Sequence, residues 1–270
     1  MARLFIFAAI ISIVFSDNDF GNVEKALEVF EGPFNITDGG SNGELAKANQ
    51  FPYQALVYIE TIQGYRQCGG AIISDSWVFT AAQCVFDASS IKVLLGANDR
   101  FSMPVLRDGI KIDYPKSFNP LTLTDDIALI LLSSDVSGCP NSVPIKLPTI
   151  SESMETYSGT ILVVSGFESE ACNKTSELQY TEVYGICNTD CVERYNKDVI
   201  TTTKLCTLEM HVGKCIGEAG NPLVTTEADP TLVGIASFGL NCDTDAPQVH
   251  TRVGPYIEYI SFITGIDLKP

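Results

Sequence analysis

Apolar residues along this 270-residue chain come in short runs separated by turn residues. Runs at 54–59, 71–74, 91–96, 127–132, 160–165, 223–225 and 232–238 are rich in Val, Ile and Leu and bounded by Gly, Pro, Asn, Asp or Ser. Runs of that length and make-up read as β-strands. Many such strands and few helical patterns predict an all-β sandwich or barrel. One segment departs from this. Ile257, Ile260 and Ile263 recur at helical spacing, Pro255 suits a first helical turn, and Gly265 suits a helix end. A helix is therefore expected to close the chain. No internal repeat and no low-complexity segment is seen.

The N-terminus follows a different rule. Arg3 supplies a positive charge, residues 4–15 are apolar, and Val14 and Ser16 are small at the −3 and −1 positions. Residues 1–16 read as a signal peptide cleaved after Ser16, too short in its apolar part to span a membrane. Residues 17–35 are polar, acidic and free of cysteine, and read as a short propeptide. A secreted, soluble mature protein is expected. Nine cysteines in such a chain point to disulfides, and the odd number leaves at least one thiol free or bonded to another molecule. Asn35-Ile36-Thr37 and Asn173-Lys174-Thr175 are N-glycosylation sequons. The formal net charge of −16 argues against nucleic acid and anionic membrane surfaces as partners. It fits either a well-solvated surface or a basic partner. No dense carboxylate cluster appears at 91–107, so no calcium loop, other metal or cofactor is expected.

The candidate chemistry lies in a series of motifs. In order they are Phe51-Pro52-Tyr53-Gln54, Cys68-Gly69-Gly70-Ala71-Ile72-Ile73, Trp77-Val78-Phe79-Thr80-Ala81-Ala82-Gln83-Cys84, Asp125-Asp126-Ile127-Ala128-Leu129, Gly217-Glu218-Ala219-Gly220-Asn221-Pro222-Leu223, Ser237-Phe238-Gly239 and Thr251-Arg252-Val253. Together they resemble the chymotrypsin-like (S1) serine proteases over roughly residues 36–268, and most of all the arthropod chymotrypsin and collagenase branch. The resemblance implies two packed six-stranded antiparallel β-barrels with a cleft between them and a C-terminal helix, the S1-like domain spanning 36–270.

By the same resemblance, Gln83 stands in the slot of the catalytic histidine, Asp126 in that of the aspartate, and Ala219 in that of the nucleophilic serine. A methyl group forms no acyl-enzyme, and a carboxamide holds no proton near neutral pH. Asp126 is then expected to be a buried carboxylate held by backbone donors and by the Gln83 amide. The resemblance further implies an anion hole from the Gly217 and Ala219 backbones, reshaped where Asn221 replaces a glycine. It implies a pocket with Gly213 at its base and Gly239 and Gln248 flanking its walls, narrowed or made polar by Gln248. It implies disulfides Cys68–Cys84, Cys191–Cys206 and Cys215–Cys242. Cys139, Cys172 and Cys187 have no assigned partner, and one pair plus one free thiol is expected. The activation site is altered, since Asn35 replaces a basic residue before Ile36. Glu218, the carboxylate that would receive the new amine, either pairs with Ile36 or points to solvent. Neither histidine, His211 or His250, matches a triad slot.

The residues thus favour a secreted, inactive serine protease homologue that binds extracellular proteins such as active proteases, their substrates or their inhibitors. The rivals are an active serine-type endopeptidase with an atypical site and a structural or storage secretory protein.

Overall fold

The computed structural model describes residues 43–101, 105–167, 176–209, 218–239 and 246–270. The first barrel is closed by six strands in the order β2 (Gln54–Thr61), β3 (Gly64–Ile72), β4 (Trp77–Thr80), β7 (Ala128–Leu132), β6 (Val105–Asp113) and β5 (Ser90–Leu95). In the second, β9 (Gln179–Ile186), β10 (Lys204–Glu209), β13 (Gln248–Arg252), β12 (Leu232–Gly239), β11 (Pro222–Thr225) and β8 (Ile161–Gly166) follow one another, and β8 pairs back onto β9. All these pairings are antiparallel. The two-residue β1 (Glu44–Leu45) adds to β9, tying the early chain to the later barrel. Two short helices, α1 (Ala82–Val85) and α2 (Asn188–Val192), and the terminal α3 (Ile257–Thr264) complete the described elements.

The apolar runs predict the inward strands well, because β2, β4 and β7 are buried over most of their length. β9 alternates buried residues with exposed or half-buried ones, and β6 alternates half-buried with exposed residues, so their runs look polar and short in sequence. The largest buried cluster fills the first barrel and extends through Val224, Leu232, Ile235 and Val253 into the second. Tyr256 and Ile260 join it, so the terminal helix packs back against the first barrel. Gly265 ends that helix in the left-handed region at φ 75°, where an L side chain would be strained. Pro255 sits just before it, in a 3-10 turn at Gly254–Tyr256. Tyr256 donates to Asp125 at 2.6 Å, anchoring this turn to the loop that carries Asp126.

Candidate functional site

Strand β4 runs through Ala81 directly into α1, which aims Gln83 at the loop before β7. The Gln83 backbone N–H donates to Asp126 Oδ1 at 2.8 Å, and its Nε2 donates to Oδ2 at 2.6 Å. The same Nε2 donates to the carbonyl of Ser237 at 2.7 Å. Ser237 Oγ donates to Asp126 Oδ2 at 2.6 Å. Asp126 is wholly buried, so its carboxylate sits among donors rather than water. Burial raises its pKa, against the Ser237 and Gln83 hydrogen bonds and the Lys204 charge. The expectation of a carboxylate held by a backbone donor and the Gln83 amide matches this arrangement. Both Gln83 N–H directions are committed, so the side chain has become a strut.

Lys204 is a further member that sequence reasoning did not single out. It lies on β10 with 2% of its surface exposed. Its Nζ donates to the Leu123 carbonyl at 2.6 Å and to Thr251 Oγ1 at 3.1 Å, and lies 3.5 Å from Ser237 Oγ. The Phe238 ring is 5.7 Å from Nζ. Burial pushes the amine down to about 8, while Asp126 and Asp125 pull it upward. Lys204 and Asp126 therefore share one buried cluster drawn from both barrels. No local pattern marks Lys204, because its partners lie tens of residues away in sequence.

The loop 218–221 is clasped against β3. Gly69 N–H donates to the Ala219 carbonyl at 2.9 Å, and Thr80 Oγ1 donates to the Gly69 carbonyl at 2.7 Å. Ala219 packs its methyl against the large core cluster. Gly220 has φ 86°, and a β-carbon there would overlap the Gly69 carbonyl and the Thr80 hydroxyl. Gln67 Nε2 donates to both oxygens of Glu218 at 3.1 Å, and Ile36, its other expected partner, lies outside the described residues. The loop runs alongside β3, and a carboxylate one methylene longer than aspartate meets the carboxamide that β3 presents. Arg100 in turn donates to Gln67 Oε1 at 3.4 Å. Asn35, Ile36, Gly213 and Gly217 lie outside the described residues.

Asn221 is fully buried, wedged between Gly69 of β3 and Gly166 of β8. A β-carbon on either glycine would overlap its carboxamide. Neither Oδ1 nor Nδ2 has a hydrogen-bond partner among the described residues. Gly239 and Gln248, the expected pocket walls, are directly opposed across β12 and β13. The Gln248 carboxamide folds over Gly239, so a β-carbon there would overlap Gln248 Oε1.

Cys68–Cys84 and Cys191–Cys206 are bonded. Cys215, Cys242 and Cys172 lie outside the described residues, as do Asn173 and His211. Cys139 and Cys187 are both free thiols, so the one pair expected among Cys139, Cys172 and Cys187 does not form. The two sit in different surroundings, which is why they do not meet. Cys139 Sγ accepts from Arg107 at 3.2 Å beside the first barrel, whereas Cys187 lies 3.0 Å from Ser158 Oγ beside the second. His250 is buried on β13, its Nε2 3.0 Å from Thr207 Oγ1. Burial pushes it down to about 3, with the Lys204 charge acting the same way, so it is neutral at physiological pH.

A trypsin family model matches residues 41–260. A collagenase of Hypoderma lineatum is 34% identical over 231 residues, covering 83% of this chain and 87% of that protein. A solved HL collagenase structure superposes with a TM-score of 0.78 at 32% identity, covering 84% of this chain and all of the other. The scabies mite inactivated protease paralogue S-I1 superposes with a TM-score of 0.71 at 26% identity, covering 83% and 98% of the two chains. Motif order, barrel topology and the match across most of its length agree: the chain belongs to the trypsin family.

Proposed function

We propose that this protein is a secreted, catalytically inactive member of its family that acts by binding extracellular proteins, as a cofactor, decoy or adaptor in a protease pathway. The observation that carries the reading is the Gln83 carboxamide. It donates to Asp126 and to the Ser237 carbonyl, and it holds no proton to transfer near neutral pH. Acyl transfer needs a hydroxyl or thiol and a base to activate it. The residue between Glu218 and Gly220 offers only a methyl. In subtilisin, on another fold, loss of the nucleophile or base alone lowers turnover by roughly 10⁶, about 8 kcal/mol of barrier.

Further support comes from the apolar N-terminal segment with its small-residue cleavage site, which fits secretion. A structural relative at 26% identity is itself described as an inactivated protease paralogue. The name collagenase, carried by another relative, does not pass to this chain, because a methyl and an amide stand at the positions where that chemistry would be done. The test is a fluorophosphonate probe on the purified, processed protein. No serine is expected to be labelled, and stoichiometric labelling at any serine would overturn the reading. Affinity capture from the native secretion should return a saturable protein partner. Recovery of none would favour a structural or storage role.

A further inference from the structure

The loop that carries Ala219 is tied to the first barrel by a chain of three polar side chains. Gln67 lies on β3, Arg100 lies between β5 and β6, and Glu218 leads into β11. The Gln67 carboxamide stands between the other two. Its Oε1 accepts from Arg100 Nη1 at 3.4 Å, and its Nε2 donates to both Glu218 oxygens at 3.1 Å. A guanidinium only donates and a carboxylate only accepts, so the two ends together fix which way the amide faces. Donation to a carboxylate is also stronger than donation to a neutral oxygen. Arg100 is buried, its backbone N–H donates to the Ser176 carbonyl at 2.9 Å, and its guanidinium lies 6.0 Å from the Phe167 ring. The chain of contacts therefore starts from a fixed point. The rest of the loop is fastened at both walls. Gly69, two residues beyond Gln67, donates its N–H to the Ala219 carbonyl at 2.9 Å, and the Gly220 N–H donates to the Ala236 carbonyl of β12 at 2.8 Å.

We infer that Gln67, oriented by Arg100, anchors Glu218 in the intact chain, so that the 218–221 loop keeps one form before and after a cut ahead of Ile36. By the family resemblance, Glu218 is the carboxylate that an amine released at Ile36 would reach. In this chain a side chain belonging to the fold already engages it. An incoming ammonium would have to shed water and displace both hydrogen bonds. Glu218 is only half-buried, and an ion pair that stays partly solvated returns little for that cost. Proteolysis at this point is then no switch for the protein, and the loop is presented to a partner as soon as the chain folds. Gln67 is a positioning residue, acting on the loop through Glu218. The inference adds regulation to the binding reading without depending on it, since it concerns the loop and not the missing nucleophile.

The test is amide hydrogen exchange at Gly69 and Gly220, whose N–H groups report the fastening of the loop. Residues 31–35 of the full chain are exchanged for an enteropeptidase site, so that the folded protein can be cut before Ile36. The two amides should exchange at the same rate before and after cutting, within about threefold. A larger change would show that the new amine rearranges the loop, and would overturn the inference. In the uncut chain, Gln67→Leu should speed exchange at both amides by at least about tenfold, and a smaller increase would also overturn it. The Leu129 and Ile130 amides of β7 separate local release from a general loosening. They should stay within about threefold of the native rate, and acceleration of both sets alike would remove the role assigned to Gln67. Gln67→Ala takes the place of Gln67→Leu if the latter does not melt cooperatively, and the comparison of cut and uncut protein needs neither. Every one of these failures would leave the inactive-binder reading intact, since fluorophosphonate labelling tests that separately.

Discussion

The two halves of the degenerate site have adapted to different degrees. Around Asp126, every buried polar group described has found a partner: Gln83, Ser237 and Lys204 join the carboxylate in one network across the barrels. Around Asn221, the opposite holds, and a fully buried carboxamide lies between two glycines with neither polar atom paired among the described residues. A buried carboxylate is tolerated at Asp126 because donors and the Lys204 charge surround it. A substituted glycine can persist with a polar mismatch, since the error is limited to one group.

The sharpest way to break this contrast is at the buried charges. Lys204→Met and Asp126→Asn, each alone, should destabilise the fold by about 3–5 kcal/mol, because each leaves or weakens compensation of a buried ion. The double variant should recover part of that loss, giving a favourable coupling in a denaturation cycle. Additive losses would mean that the two groups act independently.

The pH profile sharpens the same point. The folded protein holds the Lys204 amine at about 8, below its unfolded value, so the unfolded chain binds more protons between about pH 8 and 10.4. Stability contributed by this group therefore rises with pH across that window. Relative to Lys204→Met, the native protein should gain on the order of 3 kcal/mol between pH 7 and pH 10.5. A difference that stays flat or falls would show that the amine is not held in a desolvated site.

Gln83→Ala should be milder, lowering stability by about 1–3 kcal/mol, since it removes the side-chain donor to Asp126 and to the Ser237 carbonyl but leaves the backbone donor. Asn221→Ala should have the smallest effect and the opposite sign. Removing an unpaired buried amide outweighs the small cavity left, so the melting midpoint should rise, by the equivalent of about 1 kcal/mol. A drop of that size or more would show that the carboxamide has a partner, such as a buried water, that matters.

Much of this was legible in the sequence, and the reason differs from residue to residue. The spacing of the apolar runs and of Ile257, Ile260 and Ile263 reports burial directly, so the inward strands and the terminal helix were readable. The order of the motifs placed Gln83 and Asp126 together before any distance was known. β6 and β9 were not readable as apolar runs, because one face of each is solvated. Lys204 and Gln67 were missed for a different reason. Their roles depend on Thr251, Ser237 and Glu218, which lie far along the chain, and a lysine in a strand carries no local sign that it is buried. The fold of the Gln248 carboxamide over Gly239 was not readable, since sequence gives the side chain but not the direction in which it folds.

Steady-state hydrolysis of a peptide library by the purified protein tests the proposed inactivity most directly. The rate should equal that of buffer for every peptide, both for the full chain and for a chain that begins at Ile36. Saturable cleavage with many turnovers per molecule, co-purifying with the chain and lost on its depletion, would contradict the reading of Gln83 and Ala219.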